Sequence, residues 1–428
     1  MRGLFGRRDF RLLWTGETTS FLGTSIGGIS LPLVALDVLH SSVVLVSALM
    51  AAAWLPWVLI GLPAGAWVDR LPRKPVMIAA DLVALVAFAS VPIAAWCGVL
   101  TAAQLLVVAL VGGVAAVFFQ TAFRALLPSM LPSDDLLEGN AKIQGSEQVA
   151  NVAGPGAAGL IAEAVGAVCG VLANAISFAV SAACLSSIRV REPERVVKPR
   201  RLRHEIAEGI GIVVRDPLLR VNTVFGCLSN LTLVGYQAIL VVFLVRVVGL
   251  SSGATGLLIA LTSLGGVAGA FLARPAARWL GTARTTLLSK VVFVPAGLLI
   301  PLAAKGPGLA LFVLGSVLVI GGIVAGNVVW SGWMQSYYPA SLLGRISTSI
   351  QVVNYGSIPL GAMLGGVLAS HLGVRTALWV MLGGLVASTL VLFTGPLPRL
   401  RDLPERDAKA DGGESIPVGV TLPSKEAG

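Results

Sequence analysis

The chain has 428 residues, of which 56% are hydrophobic and only 12% are charged, and its mean hydropathy is +0.87. Soluble domains carry about 25% charged residues, so this composition excludes an ordinary soluble protein and indicates a chain that crosses a membrane many times. The net charge of +10 does not indicate a nucleic-acid partner, because the basic residues lie in short loops between apolar runs, where they face the lipid surface.

Apolar windows of membrane length recur twelve times. A bilayer core needs about 20 apolar residues per helical span. The predicted spans are 17–39, 43–68, 76–97, 101–123, 140–164, 167–188, 220–246, 253–274, 284–304, 308–331, 346–370 and 374–396. The sequence therefore predicts an all-α membrane protein with twelve transmembrane helices in two six-helix bundles.

Polar stretches divide this layout into four parts. These are an N-terminal bundle at 1–188, a cytoplasmic linker at 189–219, a C-terminal bundle at 220–398 and a disordered tail at 399–428. Within the linker, Ile206, Ile210 and Val213 recur at helical spacing. This spacing predicts an amphipathic helix that lies on the membrane surface.

The second half of the chain repeats the pattern of the first. A shift of 207 residues pairs Pro132 with Pro339 and Gly166 with Gly373. The same shift pairs further small and polar residues: Leu136 with Leu343, Gln144 with Gln351, Gly154 with Gly361, Gly159 with Gly366, and Ala162 with Ala369. Duplicated bundles are the architecture of many secondary transporters, so we expect the two bundles to be pseudo-symmetric.

The basic residues predict the orientation. Of the 31 lysines and arginines, only Arg246, Lys305 and Arg375 fall in loops on one side of the membrane. The others lie on the opposite side or within two turns of it. Because basic loops stay in the cytoplasm, we expect both termini and the linker to be cytoplasmic, in a plasma membrane.

The loop between the second and third spans carries Gly65, Asp69, Arg70, Arg73 and Lys74 in the pattern G-x-x-x-D-R-x-x-R-K. The basic residues alone would fix the topology, and the acid is not needed for that purpose. A carboxylate at this place can face a helix N-terminus and pair with arginine. We therefore interpret the loop as a gate that locks the inner side, with a purely topological role as the alternative.

The fifth span contains Gly154, Pro155 and Gly159 in a pattern that matches the dinucleotide-binding motif G-x-G-x-x-G by letters. That motif requires a preceding strand, whereas this stretch lies inside an apolar helix. Small residues at this spacing instead let helices approach closely, and the proline can kink the helix.

Three acids fall at or inside span ends: Glu17, Asp81 and Glu147. An acid at the centre of a membrane helix costs about 2.5–3.5 kcal/mol, so such residues point to function, often proton transfer. The alternative is a structural pairing with a nearby basic residue. Asp37 and Glu163 lie near the outer ends of spans, and we expect them to be solvated.

The sequence gives no indication of catalysis, a cofactor or a metal. The four cysteines lack C-x-x-C spacing, and the three histidines fall in different loops. There is also no P-loop, so the chain cannot drive transport with ATP by itself.

These motifs together resemble the major facilitator superfamily. The charged loop is similar to the family's signature loop, with Pro72 where the family usually has glycine, and the Gly154-Pro155 stretch resembles the Gly-Pro motif of its antiporters. The motifs at 10–16 and 127–132 occur in the order typical of the drug-exporter branch, which contains macrolide-efflux proteins and the enterobactin exporter. The resemblance implies a proton-coupled exporter with a central cavity between the bundles.

The cavity of such an exporter would be lined mainly by the first, fourth, seventh and tenth helices. The polar or aromatic candidates at midspan are Ser25, Phe118, Asn230, Tyr236, Gln237, Asn327 and Trp330. No lysine or arginine is expected at midspan, so the cavity suits a neutral or weakly cationic amphiphile such as an antibiotic or another secondary metabolite.

Several alternatives to drug efflux stay open. A siderophore exporter, a lysophospholipid flippase and an importer would share the same fold. Outside transport, the same bundle could serve as a membrane sensor or a partner protein. In each case we expect a monomer in the lipid bilayer, and for transport a small-molecule substrate with protons as the coupling ion.

Overall fold

The computed structural model describes residues 4–68, 70–189 and 202–405. Its α-helices in this part of the chain are α1 (Arg8–Asp37), α2 (Val43–Leu59), α3 (Gly61–Val68), α4 (Arg73–Trp96), α5 (Ala102–Met130), α6 (Ser133–Val165), α7 (Ala167–Ser187), α8 (Leu202–Arg215), α9 (Pro217–Val242), α10 (Ser252–Leu280), α11 (Thr282–Val291), α12 (Leu309–Tyr337), α13 (Ala340–Leu372) and α14 (Val374–Ser388). Tighter or wider helical turns extend three of them: α9 over Phe243–Val247, α11 over Val294–Leu302 and α14 over Thr389–Thr394.

The predicted spans correspond to these helices. Among the described residues, ten helical segments are long and apolar enough to cross a bilayer. The predicted second span is formed by α2 and α3, which are interrupted at Ile60, four residues after Pro56. The predicted fifth span is α6, whose first half carries acidic and basic residues and is therefore less apolar. When the second span (α2 with α3) and the fifth span (α6) are added, the helices agree with the predicted all-helical layout.

The 207-residue repeat is visible in the helix ends. The bounds of α12 are those of α5 moved by 207 residues, and the bounds of α13 are those of α6 moved by the same number. After α6 and α13 the chain turns at Gly166 and Gly373, with φ of 91° and 83°. This backbone conformation favours glycine, so the repeat preserves the helices together with the turns that end them.

We call the end of the molecule that carries the start of α1, the helix α8 and residues 396–405 the linker side, and the opposite end the far side. The amphipathic helix predicted in the linker is α8, and one side of it packs on the C-terminal bundle. Ile212 and Val213 join the apolar core of the C-terminal bundle. Glu208 forms a salt bridge of 2.7 Å with Arg345 of α13. Residues 190–201 of the predicted linker lie outside the described residues.

The chain stays packed beyond residue 399, where the tail was predicted to begin. Leu403 is buried in the linker-side core. The indole Nε1 of Trp333 donates a hydrogen bond of 2.8 Å to the carbonyl oxygen of Pro404, and the Thr282 amide donates one of 2.9 Å to Asp402. These contacts explain why residues 399–405 belong to the C-terminal bundle, and residues 406–428 lie outside the described part.

Asp216 organises the linker-side end of α9. Its carboxylate accepts hydrogen bonds from the amides of Leu218 and Leu219 and so caps the helix. It also accepts a hydrogen bond of 2.7 Å from the hydroxyl of Tyr338, just beyond α12. Burial and the Asp216 carboxylate raise the pKa of Tyr338, so the phenol remains a neutral donor and the two helix ends stay joined.

Candidate functional site

Two acidic side chains are buried inside the N-terminal bundle. Glu17 on α1 and Asp81 on α4 are each 2% exposed. Helix α7 packs between them: Gly16 lies against Ser181 and Cys184, and the Ser181 hydroxyl faces Asp81. Glu147 on α6 is half-buried, and its charge acts on Glu17 together with that of Asp81. The structure thus brings the three predicted acids into one electrostatic group, which we call the acidic site.

The acidic site lacks the partners that a structural ion pair would provide. Both carboxylate oxygens of Glu17 and the Oδ2 atom of Asp81 are buried, and neither acid has a hydrogen-bond partner for these atoms among the described residues. Nearby polar atoms of Trp14, Thr18 and Ser181 are unpaired in the same way. Burying a charged carboxylate without a partner costs roughly several kcal/mol, even after the surrounding protein has relaxed. Protonation of the carboxyl groups, or entry of water into the site, would remove this free-energy cost.

The charged loop ties three helices of the N-terminal bundle together. Arg73 donates a hydrogen bond of 2.6 Å to the carbonyl oxygen of Ala125 near the end of α5. Lys74 donates to the carbonyl oxygens of Ser186 and Ile188, at 3.0 and 2.6 Å, at the end of α7. Lys74 pairs with carbonyl groups at the very end of α7, Arg73 with one in the last two turns of α5, and the charge of both suits the negative end of the helix dipole.

The remaining residues of the charged loop are placed differently. Arg70 is exposed, and the position of Gly65 faces open space. Asp69 lies outside the described residues, so its predicted gating role stays a prediction.

The predicted small-residue motif forms a seam between the bundles. A Cβ atom added to Gly159 of α6 would lie 2.8 Å from the Cα of Gly256 in α10, and one added to Gly256 would lie 2.3 Å from the carbonyl oxygen of Pro155. Gly154 lies against the side chain of Ser25 in α1. Only residues without side chains allow the backbones of α6 and α10 this close approach.

A second seam joins α2 to α13. A Cβ atom on Gly366 would lie 2.6 Å from the Cβ of Ser47. Further along the same pair of helices, the rings of Trp54 and Tyr355 meet edge to face with centroids 5.7 Å apart. Both seams therefore hold the bundles together in the far-side half of the molecule.

Glu163 closes the first seam at its far-side end. Its carboxylate accepts hydrogen bonds of 2.8 Å from the Ser251 hydroxyl and of 2.8 Å from the Gly253 amide, which lie at the start of α10. An acid from one bundle therefore caps a helix of the other, where the helix dipole favours negative charge. Glu163 is exposed to solvent, as expected, and its two hydrogen bonds were not predicted.

The apolar clusters reveal which side is closed. The linker-side clusters each stay within one bundle, over residues 4–188 and 212–403. Two other clusters join the bundles. One places Val241 and Val242 of α9 among residues of α1 and α2, and the other places Ala51 of α2 among residues of α9 and α13. The bundles are therefore sealed on the far side and joined by no such cluster on the linker side, within the described residues.

The predicted cavity residues have different surroundings. Tyr236 and Trp330 are buried inside the C-terminal bundle, at 2% and 6% exposure, and Trp330 packs on Trp333. Phe118 stacks on Trp67, and Asn327 is exposed. The other three are half-buried: Ser25, Asn230 and Gln237. The structure does not gather these seven side chains into one cluster.

An apolar groove of about 730 Å³ lies between α10, α11 and α12. Its walls include Leu272 and Trp279, which are largely exposed on the outside of the bundle. Thr285 and Ser289 are the polar residues of its lining. The groove therefore presents no charged group to a substrate and is separate from the acidic site.

Sequence reasoning missed Lys290. This residue lies in α11 and is 1% exposed, although no basic side chain was expected deep in a span. Its ammonium donates a hydrogen bond of 3.1 Å to the Oδ1 atom of Asn222 and lies 4.5 Å from the ring centre of Phe225. The signal was present in the sequence, since position 290 falls six residues inside the predicted span 284–304.

Comparison with known proteins places this arrangement in a family. The sequence profile of the Major Facilitator Superfamily matches residues 13–362. The multidrug efflux pump Tap of Mycolicibacterium fortuitum is 27% identical over 410 residues, which cover 93% of this chain and 97% of Tap. Macrolide efflux protein A of Streptococcus pyogenes is 25% identical over 152 residues, or 36% of this chain and 37% of that protein.

Solved structures show the same fold. A bacterial homologue of the iron transporter ferroportin in an inward-facing state superimposes with a TM-score of 0.74 and 15% identity, covering 92% of this chain and 99% of the other. A bacterial homologue of the human lysosomal transporter Spinster, also inward-facing, superimposes with a TM-score of 0.69 and 15% identity. The match covers 90% of this chain and 96% of the other. The profile match extends over most of the chain and the two-bundle fold agrees with it: the chain belongs to the Major Facilitator Superfamily and is a multi-pass membrane transporter, not an enzyme.

Proposed function

We propose that this transporter exports a small amphiphilic compound, such as an antibiotic or another secondary metabolite, in exchange for protons. The observation that carries the proposal is the burial of Glu17 and Asp81, whose carboxylate oxygens Oε1, Oε2 and Oδ2 have no hydrogen-bond partner among the described residues, with the half-buried Glu147 in the same site. Intramembrane acids of this kind are typical of proton pathways. Similarity to Tap along almost the whole chain supports export, because Tap is a multidrug efflux pump.

In the proposed orientation, the linker side faces the cytoplasm and the chain spans a bacterial plasma membrane. In that orientation the sealed far side is outside, and substrate enters between the bundles from the cytoplasm. Protons that reach the acidic site would favour the return of the empty carrier, since a neutral site is cheaper to keep buried than a charged one. The chain would work as a monomer with lipid as its surroundings.

The substrate class follows from the charges. Besides Lys290, which is enclosed inside the C-terminal bundle, the described spans offer no basic side chain buried at comparable depth. A multiply anionic substrate such as a sugar phosphate would require such groups. A neutral or weakly cationic amphiphile does not.

The test is a resistance panel. The gene is expressed in a bacterium without its main efflux pumps, and minimal inhibitory concentrations are measured for erythromycin, tetracycline and ethidium, with Asp81→Asn as the inactive control. We expect a higher tolerance for at least one compound, and an uncoupler that collapses the proton gradient should abolish the difference. Export that persists without the gradient would contradict proton antiport. Movement of only a siderophore or a lysophospholipid in vesicles would replace drug efflux by that narrower function.

A further inference from the structure

The C-terminal bundle contains a buried charge that the proposed proton pathway does not use. Lys290 is 1% exposed, and its only hydrogen-bond acceptor in the described part of the chain is the amide oxygen of Asn222 on α9, 3.1 Å away. The face of the Phe225 ring lies 4.5 Å from the ammonium. No carboxylate within the described ranges forms a salt bridge with it. An amide and a ring stabilise an ammonium less than a counter-ion does.

The contacts of Lys290 with described residues involve no other titratable group. Helix α12 packs Gly326 against it, so that a Cβ atom there would lie 3.0 Å from the lysine Cε. The charged residues of α9, α10 and α11 closest to the linker side are Asp216, Arg220, Arg274, Arg278 and Arg284. None of them forms a hydrogen bond or a salt bridge with Lys290 within the described residues, and the ammonium lies against an amide and an aromatic ring.

The position of Lys290 mirrors the acidic site. In the 207-residue repeat, Asp81 corresponds to position 288, two residues before Lys290. Glu17 corresponds to position 224, between Asn222 and Phe225. From the linker-side end of its helix, Asp81 is eight residues into α4, and Lys290 is eight residues into α11. The two bundles therefore hold an ionisable group at the same depth, acidic in one and basic in the other.

We propose that Lys290 and Asn222 form a second coupling site, in which the lysine amine loses and regains a proton once in each transport cycle. This inference rests on the proposed proton coupling and extends it to the C-terminal bundle. The proton passes from the ammonium to water that reaches the site when α9 and α11 move, and the electron pair stays on Nζ. After the bundles have changed the side to which they are open, the amine takes a proton from water on the other side of the membrane, so that one proton crosses in each cycle and no further reactant is needed.

A purely structural role makes different predictions. If Lys290 only ties α11 to α9, any variant that keeps the hydrogen bond should transport. Lys290→Arg keeps the charge and the donor but cannot lose its proton. Asn222→Asp replaces the amide with a carboxylate. The hydrogen bond to Lys290 becomes a salt bridge, which is stronger and which favours the protonated lysine. The coupling hypothesis predicts failure of both variants, although the second is expected to fold at least as well as the wild type.

The experiment uses the full chain in liposomes and ethidium as the probe. Gradient-driven ethidium transport is compared with ethidium exchange at equal pH on both sides. For Lys290→Arg and Asn222→Asp we expect gradient-driven transport to fall by at least about tenfold while exchange stays within about twofold of the wild type. Gradient-driven transport near the wild-type rate in both variants would overturn the proposal, and so would equal loss of both activities in folded protein.

The wild type separates this inference from the proposed function. If wild-type liposomes show no dependence on the gradient, proton coupling itself is wrong, and the role of Lys290 fails with it. If the wild type is coupled and Asp81→Asn is not, while both Lys290→Arg and Asn222→Asp remain coupled, only the second site is wrong.

Discussion

At the scale of single residues, the two bundles treat buried charge in opposite ways. Carboxylate oxygens of Glu17 and Asp81 have no hydrogen-bond partner in the described ranges, whereas Lys290 contacts an amide and an aromatic ring. Neither arrangement stabilises the fold, because burying an unpaired charge costs free energy. This cost is the reason why we propose a role in transport for the acidic site and for Lys290.

The first prediction concerns Asp81. Asp81→Asn keeps the size of the side chain and removes its charge, so we expect correctly folded protein whose gradient-driven export falls by more than about tenfold, because no proton can be exchanged there. Glu17→Gln should behave in the same way. The measurement is uphill transport of ethidium in liposomes with a proton gradient.

A matched control for these variants is Glu138→Gln. Glu138 is exposed and pairs with Lys142 within the same helix, a contact worth only about 0.2–0.5 kcal/mol. Its neutralisation should leave transport unchanged. Normal coupling in both Asp81→Asn and Glu17→Gln would place the proton path elsewhere.

The second prediction concerns Glu163. The variant Glu163→Ala removes two hydrogen bonds between the bundles and the charge at the start of α10. Charge at a helix N-terminus contributes about 0.3–2 kcal/mol, so the sealed state should lose about a factor of 2 to 30 in population. The measurement is thiol labelling from the far side at Ala260→Cys in a cysteine-free background, where labelling should become faster.

Asp37→Ala serves as the comparison for Glu163. Asp37 lies 3.5 Å from the Ser252 hydroxyl, at the limit of a hydrogen bond, so its removal should change labelling much less. An equal rate in Glu163→Ala and the wild type would mean that the seam alone keeps the far side closed.

Residue partners were the part that the sequence could not supply. The acids were found because a charge in an apolar run is visible without a structure. The partner of Glu163 lies about 90 positions away in the other bundle, and no local pattern encodes that contact. The cavity candidates failed to form one cluster for a similar reason: which way a midspan side chain points depends on the rotation of each helix against its neighbours.

At the scale of helices, sequence periodicity was more informative. Apolar runs predicted where the spans lie, and the 207-residue repeat agrees with the helix ends of α5, α6, α12 and α13. The interruption at Ile60 and the charged first half of α6 were not foreseen, because hydropathy averages over such local features. The packing of α8 and of residues 399–405 depends on tertiary contacts with Arg345 and Trp333.

The third prediction tests the seam between α6 and α10. In Gly256→Ala the new methyl group would overlap the Pro155 carbonyl, since the Cβ position lies 2.3 Å from that oxygen. The helices must separate, so we expect the sealed state to be depopulated and transport to be strongly reduced at normal protein levels. Transport rate and far-side thiol labelling at Ala260→Cys are the two measurements.

The control for the seam is Gly28→Ala. Gly28 also lies inside a helix, but a Cβ atom there meets no atom within 4 Å. This variant should transport normally and, because alanine favours the helix by about 1 kcal/mol over glycine, should be no less stable. If Gly256→Ala transports as well as Gly28→Ala, close approach of the backbones is not required.

At the scale of the whole molecule, the structure combines a sealed far side with linker-side cores that stay within single bundles. Alternating access in a repeat-built transporter is largely a rocking of one bundle against the other. In that motion the seams at Gly159 and Gly366 must open, while the charged loop keeps α4, α5 and α7 together as one body. Contacts within a bundle are therefore expected to survive the cycle, and contacts between bundles are not.

The fourth prediction is the orientation of the chain in the membrane. Basic residues concentrate on the linker side, and only Arg246, Lys305 and Arg375 lie in far-side loops. The positive-inside rule therefore predicts that the far side faces the outside of the cell. Single cysteines at positions 40, 100, 250 and 306, in a cysteine-free background, should react with a membrane-impermeant thiol reagent in intact cells. A cysteine at position 205 should react only after the cells are opened. Labelling of position 205 in intact cells would show the opposite orientation, with the linker side outside the cell.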